Sequence, residues 1–185
     1  AETFRGVKRA NPNDGSQLET RVPFAVARPT GDLVIDAARG KMYWVKGTST
    51  CPTCFFNEGT TLMRANLDGS QVETLRTGIN EMMRSLAINS AAGKLYWSEN
   101  NRIVRANLDG SGEETLYTRQ TAARIIAMDV DFSRNRIVWA EQQTGLCPNN
   151  ICPLGEIYSA DLNGQGKVRI SFGNPQAGMY DLYQV

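Results

Sequence analysis

The chain has 185 residues, 41% hydrophobic and 21% charged, enough for one globular domain with a real core. Lys and Arg number 20 against 19 Asp and Glu, which gives no electrostatic footprint for nucleic acid or an anionic membrane. There is no histidine, which excludes the serine triad, the papain-type dyad and imidazole metal ligands, and no apolar run approaches the ~18 residues of a membrane helix.

In chain order, the start at Ala1-Glu2-Thr3 fits an exported protein whose leader has been removed, or a chain simply trimmed at its start. Residues 4–20 predict two strands around a turn at Gly15. Residues 33–35 predict a short apolar strand, Asp36 a turn capped by its own side chain, and 41–44 (KMYW) a second strand. A long insertion follows, then a strand over 62–66, a tight turn at Asp68-Gly69 and a strand over 72–75. The same order returns from Leu86 through Asn89, 94–97 (KLYW), Asp109-Gly110 and Leu116. It returns again from Met128 through Asp131, 136–139 (RIVW), Asn163-Gly164 and Ile170. Residues 179–185 (MYDLYQV) predict a last strand resembling a first strand of the unit.

The order is an internal repeat. LMRANLDGSQVETL (62–75), IVRANLDGSGEETL (103–116) and IYSADLNGQGKVRI (157–170) align, with VKRANPNDGSQLET (7–20) as a fourth copy. Residues 36 to 44, 89 to 97 and 131 to 139 keep one spacing from Asp or Asn to Trp. Short strands in fours, repeated along the chain with no sustained helical period, predict an all-β protein built as a β-propeller.

The Tyr-Trp strand followed by RANLDGS resembles the LDL-receptor class B, or YWTD, repeat, over nearly the whole chain. Val45-Lys46, Ser98-Glu99 and Ala140-Glu141 stand where that family has Thr-Asp. The resemblance implies a propeller, usually of six blades, with the recurrent tryptophans packed between blades. This chain is short for six. Its turn glycines, Gly15, Gly69, Gly110 and Gly164, predict four four-stranded antiparallel blades. These lie at about 31–78, 82–119 and 123–173 in a single domain spanning 1–185, with a composite blade from 174–185 plus 1–22. The composite blade lacks a counterpart of the KLYW strand. It closes irregularly within the chain, or a terminal segment completes the blade of the next copy. The assembly-edge candidates are Phe4, Val7, Ala10, Met179, Leu182 and Val185.

Cys51 and Cys54 lie in one long insertion, Cys147 and Cys152 in the equivalent one. Two local disulfides, Cys51–Cys54 and Cys147–Cys152, are the favoured reading, against a four-thiolate metal site, a redox dithiol or free thiols. Phe55, Phe56, Leu146 and Ile151 place apolar side chains in these loops, as packing onto their own blades or as a partner surface. Asp32, Asp129 and Asp181 fall on or beside innermost strands, where carboxylates line a channel and could hold Ca²⁺ or Na⁺; they read more simply as solvated. Arg64 with Glu73 and Arg105 with Glu114 read as cross-strand surface pairs.

The sequence therefore predicts a non-catalytic structural or interaction propeller without a cofactor, at an extracellular, cell-surface or periplasmic location. It joins copies of itself head to tail, to the point of a filament, through the open composite blade. The rival reading is a secreted or periplasmic binding domain that recognises an extracellular protein or a glycan through the Cys-containing loops. A lyase or hydrolase using channel carboxylates stands third.

Overall fold

The computed structural model describes residues 6–23, 26, 29–47, 60–79, 83, 85–99, 101–119, 123–143 and 155–170. Strands β1 (Gly6–Arg9) and β2 (Glu19–Pro23) form a hairpin. Blade A follows as β3 (Pro29–Asp36), β4 (Lys41–Gly47), β5 (Thr60–Asn66) and β6 (Glu73–Ile79). Blade B is β7 (Leu86–Asn89), β8 (Lys94–Ser98), β9 (Arg102–Asn107) and β10 (Glu114–Thr118). Blade C is β11 (Ala123–Asp131), β12 (Arg136–Gln143), β13 (Glu156–Asp161) and β14 (Val168–Arg169). Each blade is an antiparallel meander whose strands pair in chain order. The sequence predicts a fourth blade of four strands; among the described residues the remaining sheet is the two-stranded hairpin β1–β2. No sheet closes into a ring among the described residues.

The predicted turn caps are made. Asp36, Asn89 and Asp131 each accept, through Oδ1, the backbone N–H three residues on (Arg39, Ala92 and Arg134) at 3.0–3.2 Å. Each cap reverses the chain into the Tyr-Trp strand. Successive side chains of that strand point to opposite faces. Trp44 therefore enters a core shared with Val7 and Val22 of the hairpin. Tyr43 faces the other way, into a core with Leu95, Trp97 and Val104 of blade B. Tyr96 and Trp139 repeat the arrangement between blades B and C. All three tryptophans are buried, packed between blades as the resemblance implies.

The turn glycines serve two purposes. Gly15, Gly69, Gly110 and Gly164 all have φ between +69° and +87°, which the tight turn requires. Three of them also sit hard against the fourth strand of the preceding sheet. A Cβ on Gly69 would lie 1.9 Å from the Arg21 carbonyl oxygen, one on Gly110 3.0 Å from that of Leu75, and one on Gly164 2.0 Å from that of Leu116. Arg21, Leu75 and Leu116 are equivalent positions of the repeat. The hairpin thus precedes blade A in the way that A precedes B and B precedes C. A second contact staples the same interfaces. Arg64 donates to the Leu108 carbonyl of blade B at 2.9 Å, and Arg105 to the Leu162 carbonyl of blade C at 3.0 Å. The expected cross-strand pairs Arg64–Glu73 and Arg105–Glu114 form at 2.6 Å, and each also orients an arginine toward the next blade.

Gly164 and Gly166 separate the two roles of glycine. Both have positive φ, but among the described residues nothing lies within 4 Å of a Cβ on Gly166. Gly166→Ala is expected to cost about 1 kcal/mol, for backbone conformation alone. Gly164→Ala adds a collision with a backbone carbonyl and should cost about 3 kcal/mol or more. Denaturant unfolding of the two variants checks the difference.

Candidate functional site

The residue two positions after each tryptophan shares the tryptophan's face. In blade B it is Glu99, buried, whose Oε1 accepts the Trp97 indole N–H at 3.0 Å. Arg76, from the fourth strand of blade A, donates to the same carboxylate at 2.7 Å, and Arg102 at 2.5 Å. Glu113 ties the two arginines together from the solvent side, at 2.7 and 3.4 Å. Burial pushes the Glu99 carboxyl up, but the hydrogen bonds from Arg102, Trp97 and Arg76 outweigh it and hold the group below its ordinary value. Blade C repeats the latch. Glu141 accepts the Trp139 indole N–H at 2.7 Å and pairs with Arg119, from the end of blade B, at 2.7 Å. Each carboxylate therefore locks its own tryptophan and the preceding blade at once.

The pattern breaks on both outer sides of this array. On the hairpin side, Lys46 stands where Glu99 and Glu141 stand, and buried Val22 where Arg76 stands. The inner half of blade A is uncovered there. Leu33 is 39% exposed where its equivalent Leu86 is 5%, and Ile35 is 54% exposed where Val130 is 8%. Leu33, Ile35, Met42 and Leu67 line a groove of about 740 Å³ with Val7 and Ala10 of the hairpin. Lys8, Arg9 and Arg21 also line it and make its polar part basic. The groove runs along β1, on whose other side β2 pairs.

On the far side of blade C the interface chemistry is thinned. Val138 stands at the position of Tyr43 and Tyr96, and Ser159 at that of Arg64 and Arg105. Ser159 accepts from Arg136 of its own blade at 2.9 Å. Val168 and Ile170 are exposed. Ile170 is the equivalent of Arg21, Leu75 and Leu116, so its carbonyl is where a fourth turn glycine would pack. The remaining turn glycine, Gly15, has nothing within 4 Å of its Cβ position among the described residues.

The sequence candidates distribute unevenly. Val7 is buried against Val22 and Trp44, so its side chain holds the hairpin to blade A while its backbone borders the groove. Ala10 lines the groove. Phe4, Met179, Leu182 and Val185 lie outside the described residues. So do Asp181, Phe55, Phe56, Leu146, Ile151 and all four cysteines, Cys51, Cys54, Cys147 and Cys152. Asp32 accepts the Leu86 N–H at 3.1 Å, tying the inner strands of blades A and B, and Asp129 accepts the N–H of Val130. Among the described residues no three His, Cys, Asp or Glu side chains group as metal ligands. No helix is long and apolar enough to cross a membrane, again among the described residues. Sequence reasoning missed the Trp–Glu–Arg latch. Its signal was present, because Glu follows two of the three tryptophans at the same distance.

No family model matches the chain. The low-density lipoprotein receptor-related protein 1 of Pyricularia oryzae is 38% identical over 88 residues, which is 45% of this chain and 26% of that protein. The chain thus spans about a quarter of the curated relative that it matches. Among solved structures, a chain of the nidogen/laminin complex superposes with a TM-score of 0.67 at 16% identity, covering 91% of this chain and 59% of that one. An oligogalacturonate lyase in complex with manganese gives 0.64 at 14%, covering 90% and 48%. The oligogalacturonate lyase of Vibrio parahaemolyticus gives 0.64 at 9%, covering 90% and 47%. At these identities the structural likeness shows the fold. With the repeat itself and the receptor-related match, it bears out the resemblance to LDL-receptor class B propellers.

Acid titration tests the latch. A carboxyl held below its unfolded value stabilises the fold above that value, near 4.5, and loses its contribution as pH falls through the folded value. Glu99→Gln should cost about 2 kcal/mol at pH 7, less than the ~3–5 of a fully buried pair because Arg76 and Arg102 reach solvent. The gap between the two proteins should shrink as pH falls below 4.5. Urea unfolding at a series of pH values checks both points.

Proposed function

From the LDL-receptor class B character of its repeats, we propose that this chain is a non-catalytic extracellular interaction module that joins copies of itself head to tail. One observation carries the reading. The contact between a turn glycine and the preceding fourth strand is made three times, and among the described residues its fourth instance is not made, with Gly15 on one side and Ile170 on the other. Complementary halves at opposite sides of one array make a heterologous interface, which extends from copy to copy unless it closes. The outer face of blade C, with Val138, Val168 and Ile170, seats against the hairpin of the next copy. Residues 179–185 of the first copy then supply the strand that the open composite blade of the second lacks. Asp181 gives the incoming strand a carboxylate for the basic rim of Lys8, Arg9 and Arg21. The solved neighbour from the nidogen/laminin complex supports an interaction role for this fold.

Val168→Asp with Ile170→Asp tests it, since both side chains are exposed and the fold does not depend on them. The native chain should associate with rising concentration in sedimentation velocity, within about 100 µM, as a micromolar contact would. The double variant should sediment as a monomer with unchanged circular dichroism and melting temperature, and deletion of residues 179–185 should do the same. A native chain that stays monomeric, or variants that associate as before, would sink the reading.

A further inference from the structure

Around its latch blade C departs from blade B at several positions, Glu156 standing for Arg102 among them. Arg76, whose guanidinium lies 5.8 Å from the Trp97 ring, is replaced by Tyr117. Val104 is replaced by Tyr158, and Glu113 by Lys167. Together the changes convert an ion-pair cluster into an aromatic enclosure. The Tyr117 and Trp139 rings are 4.9 Å apart between centroids, and Trp139 and Tyr158 5.9 Å. The Lys167 ammonium sits among them, 3.7 Å from the Tyr158 centroid, 4.4 Å from that of Tyr117 and 5.7 Å from that of Trp139. It donates to the Tyr117 hydroxyl at 2.6 Å, and buried Glu141 lies behind it at 3.6 Å. The Lys167 side chain is 33% exposed, so the enclosure opens to solvent.

Two physical points argue that Lys167 is an exchangeable occupant. First, it is not needed to neutralise Glu141. Arg119, whose side chain is buried, already pairs with that carboxylate, and the Trp139 indole donates to it. Withdrawal of Lys167 therefore leaves no uncompensated buried charge. Second, a primary ammonium is a compact, strongly hydrated charge with three donors, and among the described residues it finds one hydroxyl and one distant carboxylate. Three ring faces with a carboxylate behind them suit a larger, alkylated and weakly hydrated cation better. Such a ligand replaces one positive charge by another, so the charge of the site is unchanged.

We propose that Tyr117, Trp139 and Tyr158 form a binding site for an alkylated ammonium group, which Lys167 occupies in cis and the ligand displaces. The chemistry is shared by choline and by the side chain of trimethyllysine. Calorimetric titration of the full chain with choline, with trimethyllysine amide and with 3,3-dimethylbutanol, the neutral isostere of choline, tests it. Both cations should bind the native chain saturably, and whichever binds tighter identifies the source. Lys167→Ala should tighten binding about tenfold by removing the competitor, and the neutral isostere should bind at least about tenfold more weakly than choline. In the Lys167→Ala background, Tyr158→Leu should abolish binding while circular dichroism stays unchanged. Tyr158→Phe, which keeps the ring and serves if the leucine variant unfolds, should retain binding. The proposal is overturned if the native chain does not bind either cation, if Lys167→Ala binds no tighter, or if the neutral isostere binds as well as choline.

Discussion

The approach of a turn glycine to a backbone carbonyl of the preceding sheet sets the spacing of the whole array. A Cβ at Gly69 or Gly164 would fall about 2 Å from that oxygen, so the sheets can come this close only where the turn carries no side chain. That closeness brings Arg64 and Arg105 within reach of the next blade's turn. It also lets Arg76 and Arg119 cross to the carboxylates of blades B and C. The buried Trp-to-Glu hydrogen bonds follow, since a carboxylate enters such an interior only with cations and donors arranged around it.

Much of this was legible in the sequence, because the repeat states one local structure several times. The fixed distance from Asp36, Asn89 and Asp131 to the tryptophans gave the capped turns, and the resemblance implied tryptophans packed between blades. The second role of the turn glycines was not legible, since positive φ already accounts for a glycine at each position. Arg64 and Arg105 read correctly as cross-strand partners of Glu73 and Glu114, yet their reach into the next blade needs the distance between sheets. The aromatic enclosure of blade C was hidden for a related reason. Tyr117, Trp139 and Tyr158 come from different strands of two blades and Lys167 from the turn before β14, and none is unusual alone.

The departures from the repeat carry the functional argument. Blades A, B and C share one interface chemistry on their inner boundaries and abandon it on the outer ones. Lys46 and Val22 replace the latch beside the hairpin, and Val138 and Ser159 replace tyrosine and arginine on the far side of blade C. Apolar side chains stay uncovered in both places, with Leu33 and Ile35 at one and Val168 and Ile170 at the other. An array whose internal contacts are so regular thus ends, among the described residues, on two surfaces that lack those contacts.

A photocrosslinking residue at position 170, in a mixture of ¹⁵N-labelled and unlabelled chains, addresses the missing fourth contact most directly. The account predicts crosslinks from residue 170 to the hairpin turn around Gly15, with mixed-isotope products among them, because the two halves meet between molecules. Crosslinks only within chains of one isotope would show that a single copy closes on itself. Such a result would contradict head-to-tail assembly.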